Sequence, residues 1–149
     1  LKMKIKFRAW HNELKIMCDV AAINFFYGNV VLLARNEEQR KLFTEINKEA
    51  LIECYDRLSV SIKDVGLMQY TDMKDDTGIE IYGGDIALKE SMLVCSVEFK
   101  PVKGEVKFSE GSWRIDNGKD ARLLFTEVDS LKILGNKYEN PELLKEEEQ

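Results

Sequence analysis

At 149 residues, 44% hydrophobic and 33% charged, the chain has the length and composition of about one globular domain, able to bury roughly two thirds of its unfolded surface. Its formal charge is -5, but the last eight residues, ELLKEEEQ, hold four glutamates and one lysine, so the body carries only -2 and offers no global attraction to nucleic acid or an anionic membrane. No apolar run approaches ~18 residues, and the N-terminus LKMKIKFRAW alternates charge where a signal peptide is continuously apolar; the expected location is the cytoplasm, with no membrane partner.

In chain order, KMKIKFRAW places Met3, Ile5, Phe7 and Ala9 in alternation with Lys2, Lys4, Lys6 and Arg8, which predicts a half-buried strand with a cationic outer face. NELK reads as a turn into a second strand, IMCDVAAINF. The turn in FYGNVV, around Gly28-Asn29, leads to VVLLA, completing an antiparallel meander. At Asn36 the period changes: Leu42, Ile46, Ala50 and Cys54 recur every four, flanked by Phe43 and Leu51. With Asn36 as cap and Glu37 and Glu38 in the first turn, this predicts one amphipathic helix over residues 37–56.

A short strand, LSVSI, then leads through KDVG to LMQYTDMKDDTGIEIYGGDIAL, Leu67 to Leu88, which is rich in carboxylates and glycines. LMQYTDM and IEIY read as strands around the turn KDDTG, and GGD breaks the chain before IALKESMLVCSVEF resumes as strand. Beyond it EVKF, WRID, ARLLF and SLKILGNKY are short strands separated by glycine-bearing turns, the pattern of a small barrel.

The chemistry-bearing residues do not assemble into a motif. Cys18, Cys54 and Cys95 lie far apart beside a single histidine, His11, which excludes paired zinc-ligand spacing and suits buried, reduced thiols. Asp72, Asp75 and Asp76 fail the EF-hand register, since Lys74, Thr77 and Gly83 stand where a ligand, the glycine and the closing glutamate belong. Asp72, Asp75, Glu80 and Asp85 are expected as solvated turn carboxylates, not as an acid and base pair across a cleft. No catalytic residue, metal or cofactor is expected.

The strings KFRAW, LMQYT, then KD, G, EIY and GDI, and finally LGNKYENPELL together resemble the YopX family of phage and prophage proteins, over most of the chain apart from about 36 to 57. The resemblance implies a bacteriophage or prophage origin, a C-terminal part similar to SH3-like barrels, and no assigned biochemical activity. Family members typically carry TGLKDKNGKEIYEGDIV; here Asp72 stands for the first Gly, Asp76-Thr77 for Lys-Asn, Ile79 for Lys and Gly83 for Glu, while His11 replaces an Asp frequent after RAW. Matching positions, Gly78, Glu80, Ile81, Tyr82, Gly84, Asp85 and Ile86, suit a hairpin and the start of a strand, with the Asp85 carboxylate accepting backbone N–H bonds.

The sequence therefore predicts a mainly β (α+β) protein: one unit over 1–141, with N-terminal strands and helix over 1–66, an SH3-like barrel part over 67–141, and an acidic tail at 142–149. The expected role is a non-catalytic accessory module binding a host or phage protein in the bacterial cytoplasm. The alternative is nucleic-acid binding through Lys4, Lys6 and Arg8, with Tyr70 and Trp113, or Trp10, available for stacking; self-association through an open strand edge is compatible with both. Burial is the expected fate of Trp10 and Trp113.

Overall fold

A computed structural model of the chain describes residues 2–91 and 100–145. It divides into two compact units, one of Lys6–Gln69 and one of Leu1–Ile5 with Tyr70–Gln149. Cys95, the second half of the strand expected at 86–99, and the end of the acidic tail lie outside the described residues. Among the described residues no helix is long and apolar enough to cross a membrane.

In the first unit β1 (Phe7–His11), β2 (Ile16–Asn24), β3 (Asn29–Leu33) and β4 (Arg57–Ser61) follow one another as an antiparallel meander. The first part of β5 (Val65–Lys74) pairs with the other edge of β1, giving the order β4-β3-β2-β1-β5. The meander is the expected one, but β1 starts only at Phe7, so the expected alternation from Lys2 onward is not a strand face. Ala9, Trp10 and His11 are buried in succession, while Met3 and Ile5 are exposed. An interior strand with both faces covered loses the one-wet, one-dry pattern that the lysines suggested.

The helix α1 (Glu37–Glu49) begins as its sequence requires: Asn36 is extended, and its Oδ1 accepts the Gln39 N–H at 2.9 Å. It ends seven residues short of the expected 56, because Leu51 turns left-handed at φ 58 and the Ile52 and Leu51 N–H groups bond back to the Asn47 and Lys48 carbonyls. Its fully buried stripe is Gln39, Phe43 and Asn47, with Leu42 and Ile46 only half-buried and Ala50 exposed. The two amides replace apolar packing with hydrogen bonds: Gln39 Nε2 donates to the Met17 carbonyl at 3.0 Å, and Asn47 Nδ2 donates to the Cys54 and Arg57 carbonyls at 2.9 and 2.8 Å. Phe43 fills the core beside Ala9, Cys18, Val30, Leu32 and Leu58.

In the second unit Tyr70 and Lys74 of β5 pair with β6 (Glu80–Tyr82). The strands β7 (Asp85–Ser91), β8 (Val102–Ser109), β9 (Ser112–Asp116), β10 (Ala121–Leu123) and β11 (Asp129–Asn136) form an antiparallel sheet in the order β10-β9-β8-β7-β11. Ile81, Ala87, Val102, Val106, Ile115, Leu124 and Leu131 make its core. Gly104 is fixed by packing, since a Cβ there would stand 2.5 Å from the Asp116 carbonyl oxygen.

The expected SH3-like barrel is not closed: among the described residues β10 and β11, at the two ends of the sheet, do not pair. β10 has three residues, and the outer edge of β11 is already occupied by the turn after β5. There the Leu131 and Ile133 N–H groups donate to Asp76 Oδ2 at 2.9 Å and Asp75 Oδ2 at 3.0 Å, and the Asp76 N–H donates to the Leu131 carbonyl at 3.0 Å. Side chains thus do for this edge what a further backbone ladder does in a closed barrel.

Candidate functional site

The carboxylate-rich stretch resolves into supports for the backbone. Asp72 is exposed and, where the YopX pattern carries glycine, adopts φ 65, the left-handed geometry that glycine supplies at a bulge. Asp75 and Asp85 are 6% and 1% exposed, so the expectation of solvated turn carboxylates fails for both. Asp75 Oδ1 accepts the Thr77 N–H and hydroxyl and the Ile79 N–H, at 2.9, 2.7 and 2.9 Å, while Oδ2 takes Ile133. Burial alone would raise this carboxyl, but its hydrogen bonds to Ile133, Thr77 and Ile79 hold it below the usual carboxylate range. Asp85 Oδ2 accepts the Tyr82 N–H at 2.7 Å, the backbone role expected of it.

A second buried polar group sits on β7. The Lys89 ammonium, 4% exposed, donates to the Leu123 carbonyl of β10 at 2.6 Å and lies 3.3 Å from the Asp129 carboxylate of β11, so one side chain ties both ends of the open sheet. The Thr126 hydroxyl is hydrogen-bonded to Asp129 and, with Lys89, holds that carboxyl below its ordinary value.

A concavity of about 470 Å³ lies over β8 and is lined by Lys103, Glu105, Lys107, Asp116, Gly118 and Leu144 among others. Its acids are occupied locally: Glu105 pairs with Lys137 at 2.9 Å and with Lys107 at 3.7 Å, and Lys107 also reaches Asp116 at 3.8 Å. Burial pulls the Lys137 ammonium down, yet the bond to Glu105 and that carboxylate's charge carry it above its ordinary value. These ion pairs run along β8, across to β9 and to the residue that follows β11.

Among the described residues, Cys18 and His11 are buried and Cys54 is not. Cys18 is fully buried, and burial pushes its thiol up to about 11; its Sγ faces Gln39 Oε1 at 3.8 Å. Cys54 is only half-buried. His11 Nδ1 accepts the Leu14 N–H at 3.2 Å, and burial lowers its pKa despite Asp64 and Glu13.

The sequence-selected residues are distributed over both units. Lys4, Tyr70 and Trp113 belong to the second unit and Lys6 and Arg8 to the first. Lys4 is exposed, with its N–H 3.4 Å from Asp72 Oδ1. Lys6 and Arg8 are half-buried, Arg8 Nε lying 3.4 Å from the Met68 sulfur across the β1–β5 pair. Tyr70 is buried against Tyr82, ring centroids 5.4 Å apart. Trp113 is half-buried, edge-on to Phe108 at 5.3 Å, whereas Trp10 is buried.

The feature that does stand out to solvent is the tip of the β2–β3 hairpin. Phe25, Phe26 and Tyr27 are 79%, 88% and 78% exposed. Their backbone is held rigidly: the Gly28 N–H donates to the Asn24 carbonyl at 2.8 Å, the Tyr27 N–H to Asn24 Oδ1 at 2.9 Å, and the Ile62 N–H to the Gly28 carbonyl at 2.9 Å. Gly28, at φ 67, closes the turn. Phe26 and Tyr27 already stand edge to face, centroids 4.9 Å apart at 88°. From Val20 to Ala34 the sequence has no charged residue, and the hairpin's base is closed by the Arg35–Asp19 ion pair at 2.9 Å. The sequence identified this segment only as a turn, although three successive aromatics in a charge-free turn are a signal of an exposed apolar patch.

Comparison with known proteins agrees with the anchors in the sequence, as the model of the YopX protein family matches residues 6–145. The chain belongs to the YopX family. Two solved structures of similar fold are protein EF1440 from Enterococcus faecalis, 20% identical with a TM-score of 0.58 over 97% of this chain and 100% of that one, and protein yopX from Bacillus subtilis, 22% identical with a TM-score of 0.56 over 94% and 98%. No curated protein matches the chain. At such identities the likeness carries the fold, so the function of this YopX-family chain rests on its own surface.

Proposed function

We propose that this YopX-family chain is a non-catalytic accessory module of a phage or prophage, which binds another protein through the aromatic tip of the β2–β3 hairpin. The observation that carries the reading is the exposure of Phe25, Phe26 and Tyr27 together on a turn locked by four hydrogen-bonding partners, Asn24, Gly28, Tyr27 and Ile62. Large rings that stand mostly in water are costly to maintain for folding alone, and aromatic anchors are the groups that dominate protein interfaces. A preformed tip also loses little conformational freedom on docking.

The test is capture of partners from host lysate by the tagged chain, with and without nuclease, comparing the native protein with Phe26→Ser. A stoichiometric protein, whether a different one or an untagged second copy of this chain made in the same cells, that survives nuclease and is lost with Phe26→Ser is the expected result. Recovery of nucleic acid, with other partners lost on digestion and binding abolished by Lys4→Glu, Lys6→Glu and Arg8→Glu instead, would replace this reading with the nucleic-acid one.

A further inference from the structure

Resting on that reading, we propose that the protein docking on the aromatic tip is a second copy of this chain, the two hairpins meeting tip to tip about a twofold axis. Three features of the tip select a copy of itself. The first is charge. Each copy carries a formal charge of -5, so two copies repel wherever charged surfaces face each other, but the segment from Val20 to Ala34 brings no charge to the contact.

The second is shape. A twofold contact places the same patch on both sides and so requires a patch complementary to itself. Phe26 and Tyr27, edge to face at 88°, present a ring edge beside a ring face, and a second such pair rotated by half a turn can set edge against face in return.

The third is area. Aromatic side chains bury roughly 150–250 Å² each, so three that are mostly exposed offer on the order of 500 Å² per copy, or about 1,000 Å² for the pair. That total reaches the lower bound for a specific interface and predicts a weak, reversible dimer with a dissociation constant of roughly micromolar order. Since Asn24, Gly28 and Ile62 fix the turn before contact, little ordering accompanies association.

Sedimentation velocity of the full chain, from low to high micromolar concentration, tests this directly. The native protein is expected to pass from monomer to dimer, and Phe26→Ser to weaken the association at least tenfold, with unchanged circular dichroism because the ring is exposed and fills no core. Leu51→Ser serves as the control: it removes another exposed apolar side chain away from the tip and should leave the dimer intact. A native protein that stays monomeric throughout overturns the self-pairing, even where Phe26→Ser loses a captured partner; that second result leaves the interaction reading standing with a different occupant. Self-association that survives Phe25→Ser with Phe26→Ser overturns it as well.

Discussion

The Asp75 carboxylate receives the Thr77 N–H and hydroxyl and the N–H groups of Ile79 and Ile133, a set of donors that an apolar or amide side chain cannot match. Asp75→Asn points an amide N–H at one of them and should cost about 1–3 kcal/mol at neutral pH, read from urea unfolding. The folded carboxyl sits below its ordinary value, so its contribution is fully present above the unfolded value and is lost as pH falls through the lower folded one. The gap between native and Asp75→Asn should therefore narrow on acidification below the ordinary carboxylate range; a gap that stays constant with pH would contradict this account. Lys89→Met is expected to cost more, about 3 kcal/mol, because it strips the Leu123 carbonyl and the Asp129 carboxylate of a buried cation at once. Adding Asp129→Asn should recover part of that loss, a coupling measurable in a double-mutant cycle. Asp85 was legible in the sequence because its partner, Tyr82, is three residues away; Asp75 and Asp76 were not, since their partners on β11 lie 58 and 55 residues further along the chain.

At the scale of elements, local signals succeeded where the deciding atoms are local. Asn36 capped its helix as expected, and Gly28 closed its turn. The helix's end was misread because Leu51 continues the apolar stripe in sequence while its backbone leaves the helix at φ 58. A Leu in that conformation is strained and, at 93% exposure, gains nothing from burial. Leu51→Gly should therefore stabilise the protein by about 0.5–1 kcal/mol, seen as a rise of a few degrees in Tm; a fall would mean that the leucine packs in a way its exposure denies. Gly104→Ala should act in the opposite sense, by about 1–3 kcal/mol, as the added methyl meets the Asp116 carbonyl on the neighbouring strand.

For the molecule as a whole, a formal charge of -5 and an uncharged aromatic tip make opposite predictions about salt. Association through the tip should change by less than about threefold between low and physiological ionic strength, since no ion pair is made there, whereas contacts through Lys4, Lys6 and Arg8 would weaken steeply. Sedimentation at two salt concentrations separates these cases. By itself the sequence determined the mainly antiparallel class, the helix after Asn36 and the meander, because periodicity, caps and turn residues act over a few positions, while its anchor strings carried the YopX resemblance. Only the tertiary structure decided that β1 is covered on both faces, that the second sheet stays open with Lys89 and two aspartates at its ends, and that Phe25, Phe26 and Tyr27 face water. Those outcomes depend on which distant segment arrives beside each side chain, and a residue pattern records its own spacing but not its neighbours across the fold.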